Sequence, residues 1–323
     1  MGEFELIRRH FQRAPATGGD GAVVLGIGDD CALLQPSPGH QLAISSDMLV
    51  EGRHFFADVD PEALGHKALA VNLSDLAAMG ARPLGFTLAL ALPHADSDWL
   101  ARFAQGLFAL ADAHACPLVG GDTTRGPLNL CITVFGEVKP GQALRRDAAR
   151  AGDDLYVSGR TGEARLALEQ LRGTEWAGTA VEAEARARLE RPTPRNALGV
   201  ALSAVAGAHA AIDLSDGLAG DLGHLLQASG VGAEIHLPAL PVAPALQGLP
   251  EARWLECLLA GGDDYELLFT AAPEAREAIA QASADSATPV TRIGRITAAP
   301  GLRLLGAAGQ EVPLGAQGFD HFA

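Results

Sequence analysis

The chain has 323 residues with 48% hydrophobic and 20% charged side chains, an ordinary globular composition long enough for two domains. Its formal net charge is −15, which excludes a general attraction to nucleic acid or to anionic membrane surfaces. Of the 24 basic residues only Lys67 and Lys139 are lysine, and neither follows a glycine, so no Walker-type phosphate loop is present.

Residues 3–13 predict a short amphipathic helix with Phe4, Ile7 and Phe11 on one face. A glycine-rich loop follows at 14–21, then strands at 22–27, 32–34 and 41–46, the last running into Asp47. The spacing of Leu64, Ala68, Val71 and Met79 predicts a helix over 61–80 with one buried stripe. A strand is expected at 84–92, between Pro83 and Pro93, and a second long helix at 96–114 with Ser97 as its cap. Strands at 117–119 and 128–138 flank a loop at Gly120–Gly126. This order predicts an α+β unit whose helices cover one face of a mixed sheet. The polar stretch 139–152 reads as a domain boundary, giving domains at 1–140 and 150–323. The second half alternates strand and helix: strands near 154–158, 210–214, 233–237 and 265–270, helices near 163–171, 180–190, 195–206, 220–229 and 254–260. It reads as an α/β domain.

The four cysteines form no C-x-x-C pair, the first ten residues are polar, and the longest apolar run, Leu84–Leu92, is too short to cross a bilayer. These features lead us to expect a cytoplasmic protein with reduced thiols and no membrane partner.

The chemistry concentrates in aspartates next to Gly or Ser. The segments are Gly26-Ile27-Gly28-Asp29-Asp30, Ser45-Ser46-Asp47, Asn72-Leu73-Ser74-Asp75, Gly120-Gly121-Asp122, Asp213-Leu214-Ser215-Asp216-Gly217 and Gly261-Gly262-Asp263-Asp264. Any one of them, alone, reads equally as a turn or a helix cap. Asp75 is the exception, because it falls inside a helix pattern where Asp is a poor former. Together they supply hard oxygen donors suited to Mg²⁺, with glycines that let backbone N–H groups approach phosphate. Arg145-Arg146 reads either as a solvated pair or as a phosphate clamp. Neither an H-e-x-x-H zinc motif nor a G-x-S-x-G elbow occurs.

Taken in order, these stretches resemble the thiamine-monophosphate kinase family, whose superfamily includes aminoimidazole ribonucleotide synthetase and selenophosphate synthetase. The matching stretches are 26–32, 45–55, 66–83, 120–127, 213–222, 261–270 and 318–322. The resemblance implies a two-domain fold of the aminoimidazole ribonucleotide synthetase type that dimerises through its N-terminal sheets. It implies transfer of the ATP γ-phosphoryl group to thiamine monophosphate, by direct in-line displacement, with ATP as co-substrate and several Mg²⁺ ions as cofactors. The implied metal ligands are Asp30, Ser45, Ser46, Asp47, Asp75, Asp122, Asp213 and Asp216. The implied ATP contacts are Asp30, Gly121, Asp122, Arg146 and Ser215, and the implied substrate contacts are His54, Asp263 and Phe319. Three positions depart from the family pattern: Asp263 where Glu is usual, Phe319 where Tyr or Trp is frequent, and Gln105 where some relatives have an aromatic. Another ATP-dependent ligase of the superfamily is the alternative reading.

Overall fold

The structure is a computed structural model, and it describes residues 3–13, 21–178 and 183–313. The chain divides into two compact units, one of 1–76 with 81–141 and the other of 77–80 with 142–323.

The first unit opens with α1 (Glu3–His10) and a small hairpin of β1 (Val23–Leu25) and β2 (Leu33–Leu34). Its framework is a four-stranded mixed sheet built from β3 (Gln41–Val50), β4 (Arg82–Leu92), β5 (Leu118–Arg125) and β6 (Asn129–Val138). The strand order is β3-β6-β4-β5, with only the β4–β5 pair parallel. Two helices accompany the sheet, α2 (Pro61–Ala78) and α3 (Ser97–Ala113).

Asp60 starts α2, its Oδ1 accepting the amides of Glu62 and Ala63 at 2.8 and 3.1 Å, with Pro61 at the first position where a missing N–H costs nothing. The helix is buried nearly all round: Leu64, Leu69, Val71, Leu73 and Leu76 are almost inaccessible, and so are Asn72 and Ser74. It is therefore not the one-striped helix expected from the sequence, and Met79 lies beyond its end, exposed. Asp96, not Ser97, caps α3, accepting from the amides of Asp98 and Trp99; Ser97 is the first helical residue. The expected loop at 120–126 is mostly strand, because β5 continues through Gly-Gly-Asp-Thr-Thr-Arg alongside β4.

The second unit carries β7 (Asp154–Ser158), α4 (Glu163–Leu171), α5 (Ala183–Glu190), α6 (Asn196–Ser203), β8 (Ala208–Asp213), α7 (Leu218–Ser229), β9 (Gly232–His236), α8 (Glu251–Ala260), β10 (Leu267–Ala271), α9 (Arg276–Asp285), β11 (Val290–Thr297), β12 (Gly301–Leu305) and β13 (Glu311–Val312). These strands form one sheet in the order β13-β12-β9-β11-β7-β10-β8, antiparallel except for β9–β12. Alternate residues of the central strands enter two separate cores, as a two-residue side-chain period requires. Leu155, Val157, Ala210, Ile212 and Leu268 pack with α4, α7 and α8, whereas Tyr156, Ala211, Leu267 and Phe269 pack with α6 and α9. Burial on both faces explains why the centres of β7 and β10, Leu155–Val157 and Leu267–Phe269, are consecutive apolar residues without alternation.

Candidate active site

The aspartate segments fall in both units, and each group is built by its own local structure.

In the first unit, the alternation of β3 sorts its polar residues onto two faces. Ala43, Ser45, Asp47 and Leu49 are the less accessible set, and Leu42, Ile44, Ser46, Met48 and Val50 are the exposed set. Ser45 Oγ donates to Asp75 Oδ2 of α2. The amide of Asp47 donates to Asn72 Oδ1 at 3.0 Å, and Asn72 Nδ2 donates to the Ala68 carbonyl one turn earlier at 3.0 Å. Ser45, Asp47 and Asp75 thus meet along one seam between strand and helix, with buried Asn72 holding the register. The sequence signalled Asn72 as a polar residue in an apolar helix but not its task.

Ser46 faces away. Its hydroxyl donates to the Ile132 carbonyl at 3.1 Å and lies 3.0 Å from Thr133 Oγ1. Strand register places Asp122 on that same exposed face, in the row Met48–Cys131–Ala89–Asp122. Asp47 and Asp122 sit on opposite edge strands, three strand spacings or roughly 14 Å apart. The seam set and the Ser46–Asp122 face are therefore distinct. Asp30 is exposed in the turn after Ile27, its amide donating to Asp29 Oδ1 at 2.8 Å. Gly121 has φ +148°, and a Cβ there would collide with the Leu88 carbonyl, so strand packing by itself accounts for this glycine. His54 Nδ1 accepts the Val50 amide at 3.0 Å, which assigns the ring proton of a neutral His54 to Nε2.

In the second unit, Asp213 is the buried last residue of β8, opposite Leu267. The chain then turns through Leu214–Gly217 into α7, and this turn is stitched to the segment 261–266. The Leu214 amide donates to the Glu266 carbonyl at 2.9 Å, the Tyr265 amide to the Leu214 carbonyl at 2.8 Å and the Asp263 amide to the Ser215 carbonyl at 3.0 Å. Asp263 and Tyr265 hold φ of +66° and +49°, a left-handed conformation that side chains disfavour. Two buried acids on either side of Tyr265 keep it there. Asp264 accepts the Gly162 amide through both oxygens at 2.9 and 3.0 Å, and burial pushes its carboxyl well above the usual range. Glu266 accepts from Ser158 Oγ at 2.5 Å and from Arg195 Nε at 2.7 Å. The expected strand at 265–270 accordingly begins only at Leu267.

Asp216 is half-buried, and its amide donates to Asp221 Oδ2 at 3.0 Å; the Gly217 amide donates to the same oxygen at 3.1 Å. Burial, partly offset by these two amides, raises the Asp221 carboxyl to about 7. Arg145 is occupied by Asp147, with Nε–Oδ1 at 2.8 Å. Arg146 is exposed, and its carbonyl accepts from Ser229 Oγ at 2.7 Å. Of the expected pair, then, Arg145 is paired locally, and the charge of Arg146 acts on Asp221. Phe319 lies outside the described residues.

Among the described residues no three His, Cys, Asp or Glu side chains are gathered around a point as a finished metal site. The seam nevertheless fits Mg²⁺ in kind, since Ser45, Asp47 and Asp75 offer only oxygen donors.

Family models for the AIR synthase related protein match residues 28–138 with the N-terminal domain and 150–306 with the C-terminal domain. The thiamine-monophosphate kinase of Escherichia coli (strain K12) is 46% identical over 325 residues, spanning 100% of this chain and 98% of that protein. The chain belongs to the thiamine-monophosphate kinase family. Among solved structures, the crystal structure of thiamine-monophosphate kinase from Stenotrophomonas maltophilia K279a superposes with a TM-score of 0.83 at 48% identity, covering 91% of this chain and 93% of that one. The structure of AaThiL complexed with AMPPCP and TMP superposes with a TM-score of 0.76 at 32% identity, covering 92% of each chain.

Proposed function

We propose that this chain is an ATP-dependent kinase that phosphorylates thiamine monophosphate to thiamine diphosphate, releasing ADP. The observation that carries the reading is likeness over almost the whole of both chains to a protein solved with an ATP analogue and TMP together. The full-length identity to the E. coli kinase supports it.

The chemistry fits the residues. Both reacting groups are anionic phosphates, so catalysis consists of neutralising charge and aligning the two. With no Walker lysine, cations held by carboxylates must do most of that work. The chemistry Mg²⁺ would supply there is neutralisation of phosphate charge. Ser45, Asp47 and Asp75 would hold one such ion at the seam and Ser46 and Asp122 another on the sheet's exposed face, while Asp30 in its turn, and Asp213 and Asp216 in the second unit, would serve others of the several ions. Gly121, Ser215 and Arg146, with Asp30 and Asp122, would contact ATP; His54, Asp263 and Phe319 would contact the thiamine phosphate. The acceptor phosphate is already ionised near neutral pH, so no strong protein base is required and transfer is direct. Domains 1–140 and 150–323 would divide the work, the first binding ATP and Mg²⁺ and pairing with a second copy.

That pairing is supported by the exposed apolar residues of β3. Leu42, Ile44 and Met48 are 45, 59 and 54% accessible on an edge strand of the sheet, a surface that a lone soluble chain rarely leaves open. The other long apolar run of this sheet, Leu84–Leu92, is mostly buried as part of β4. The four cysteines are free, in keeping with a cytoplasmic location, and no described helix is long and apolar enough to cross a membrane.

A coupled assay of ADP release with thiamine monophosphate, free thiamine and an aminoimidazole precursor as acceptors tests the reading. ADP release dependent on thiamine monophosphate is expected; release dependent only on the aminoimidazole precursor would replace it with a ligase of the same superfamily.

A further inference from the structure

The turn carrying Ser215 and Asp216 has little structure of its own. It lies between the last residue of β8 and the first of α7, and its backbone is held from two sides. One side is main chain: the carbonyls of Leu214 and Ser215 take the amides of Tyr265 and Asp263. The other side is a single side-chain atom. Asp221 Oδ2 accepts the amides of both Asp216 and Gly217, at 3.0 and 3.1 Å, from a side chain only 3% accessible. Asp221 stands on the first turn of α7, four residues beyond Gly217, which precedes the helix and supplies no capping side chain. The carboxylate thus reaches back across the turn to the amides that a capping residue would normally serve.

A hydrogen bond to the amide of Asp216 fixes the peptide plane before that residue. The plane sets where the Ser215 carbonyl and the Asp216 side chain point. We infer that Asp221 is a positioning residue that, without itself touching ligand, holds Ser215 and Asp216 in the orientation needed to receive magnesium and nucleotide. This rests on the kinase reading above. The work at the turn is done by one oxygen acceptor, and an oxygen can be kept there while the charge, which also acts on Asp216 and Arg146, is removed. Asparagine at 221 keeps an oxygen at the same reach. Glutamate keeps the negative charge at the helix start but moves the oxygens by a methylene, away from the reach that serves both amides. A residue serving only the helix dipole would tolerate glutamate and suffer from asparagine.

The experiment is calorimetric titration of Mg²⁺ with a non-hydrolysable ATP analogue into the full-length wild type, Asp221→Asn and Asp221→Glu, with the apo melting midpoint of each. Steady-state KM for ATP and for thiamine monophosphate, and kcat, are measured in parallel. Asp221→Asn should bind within about threefold of wild type. Asp221→Glu should bind at least tenfold more weakly and raise KM for ATP more than KM for thiamine monophosphate. The reverse ranking, Glu like wild type and Asn impaired, would overturn the inference, as would equal binding by all three. If Asp221→Glu does not fold, Asp221→Ser, whose hydroxyl is too short to reach both amides, takes its place with the same expected weakening, and binding like wild type would again overturn the inference. A wild type that binds the nucleotide but phosphorylates no thiamine monophosphate would count against the kinase reading and leave the binding comparison intact.

Discussion

At the scale of single residues, Asp75 tests the seam. It sits within a helix buried nearly all round, takes a hydrogen bond from Ser45, and lies one turn from Asn72, which holds Asp47. Carboxylates gathered without a cation repel; two like unit charges about 4 Å apart repel by roughly 4 kcal/mol at an effective dielectric of 20. Asparagine at 75 still offers an oxygen to Ser45 but removes one charge. Asp75→Asn should therefore leave the apo protein as stable as wild type or more so, while turnover falls by orders of magnitude. The rise in melting midpoint on adding Mg²⁺ and nucleotide should shrink, because that rise scales with affinity. A merely structural Asp75 would give the opposite pattern, a lower apo midpoint with activity retained. This residue was legible in the sequence because Asp is out of place in an apolar helix. Asp221 was not: Asp on the first turn of a helix is so ordinary that only its two amide partners mark it out.

At the scale of elements, the first-unit sheet depends on two local devices. Gly121 lets β5 lie against the Leu88 carbonyl at a backbone angle that other residues resist. Gly121→Ala should destabilise the fold by about 2 kcal/mol or more, measured by urea unfolding. Glu137 of β6 is the second. Burial pushes its carboxyl up, but the Ser37 amide and hydroxyl and the Arg82 guanidinium outweigh this and hold it below the usual glutamate range. A depressed folded-state pKa adds stability that is complete above the unfolded value and disappears as pH falls through the folded one. Glu137→Gln should thus cost about 2 kcal/mol near pH 7, and the gap from wild type should close as the pH falls below about 4. A gap independent of pH would contradict this assignment. Polarity and glycine made 120–126 look like a loop, yet pairing with β4 overrides those preferences. The buried all-round α2 reads as one stripe only if Leu64, Ala68 and Val71 are followed alone, since Leu69, Leu73 and Leu76 fill a second face and alanines a third. The central second-unit strands are easier to place, since burial on both faces leaves consecutive apolar residues such as Leu155–Val157 and Leu267–Phe269.

At the scale of the whole molecule, the exposed side of β3 predicts self-association. Ile44→Asp places a charge among Leu42 and Met48 without touching the seam side of the strand. Sedimentation should find wild type dimeric at micromolar concentration and the variant shifted toward monomer; a monomeric wild type would remove the homodimer from the account. The candidate aspartates are legible in the sequence as an ordered list, whereas the sorting of Asp47 and Asp122 onto opposite faces of the first-unit sheet needs the strand register. The central claim is the identity of the phosphoryl acceptor, and following isotope from γ-labelled ATP tests it most directly. With thiamine monophosphate present, the label should appear in the terminal phosphate of thiamine diphosphate, matched by ADP, and free thiamine should take up essentially none. Comparable labelling of free thiamine, or label released only as inorganic phosphate, would contradict it.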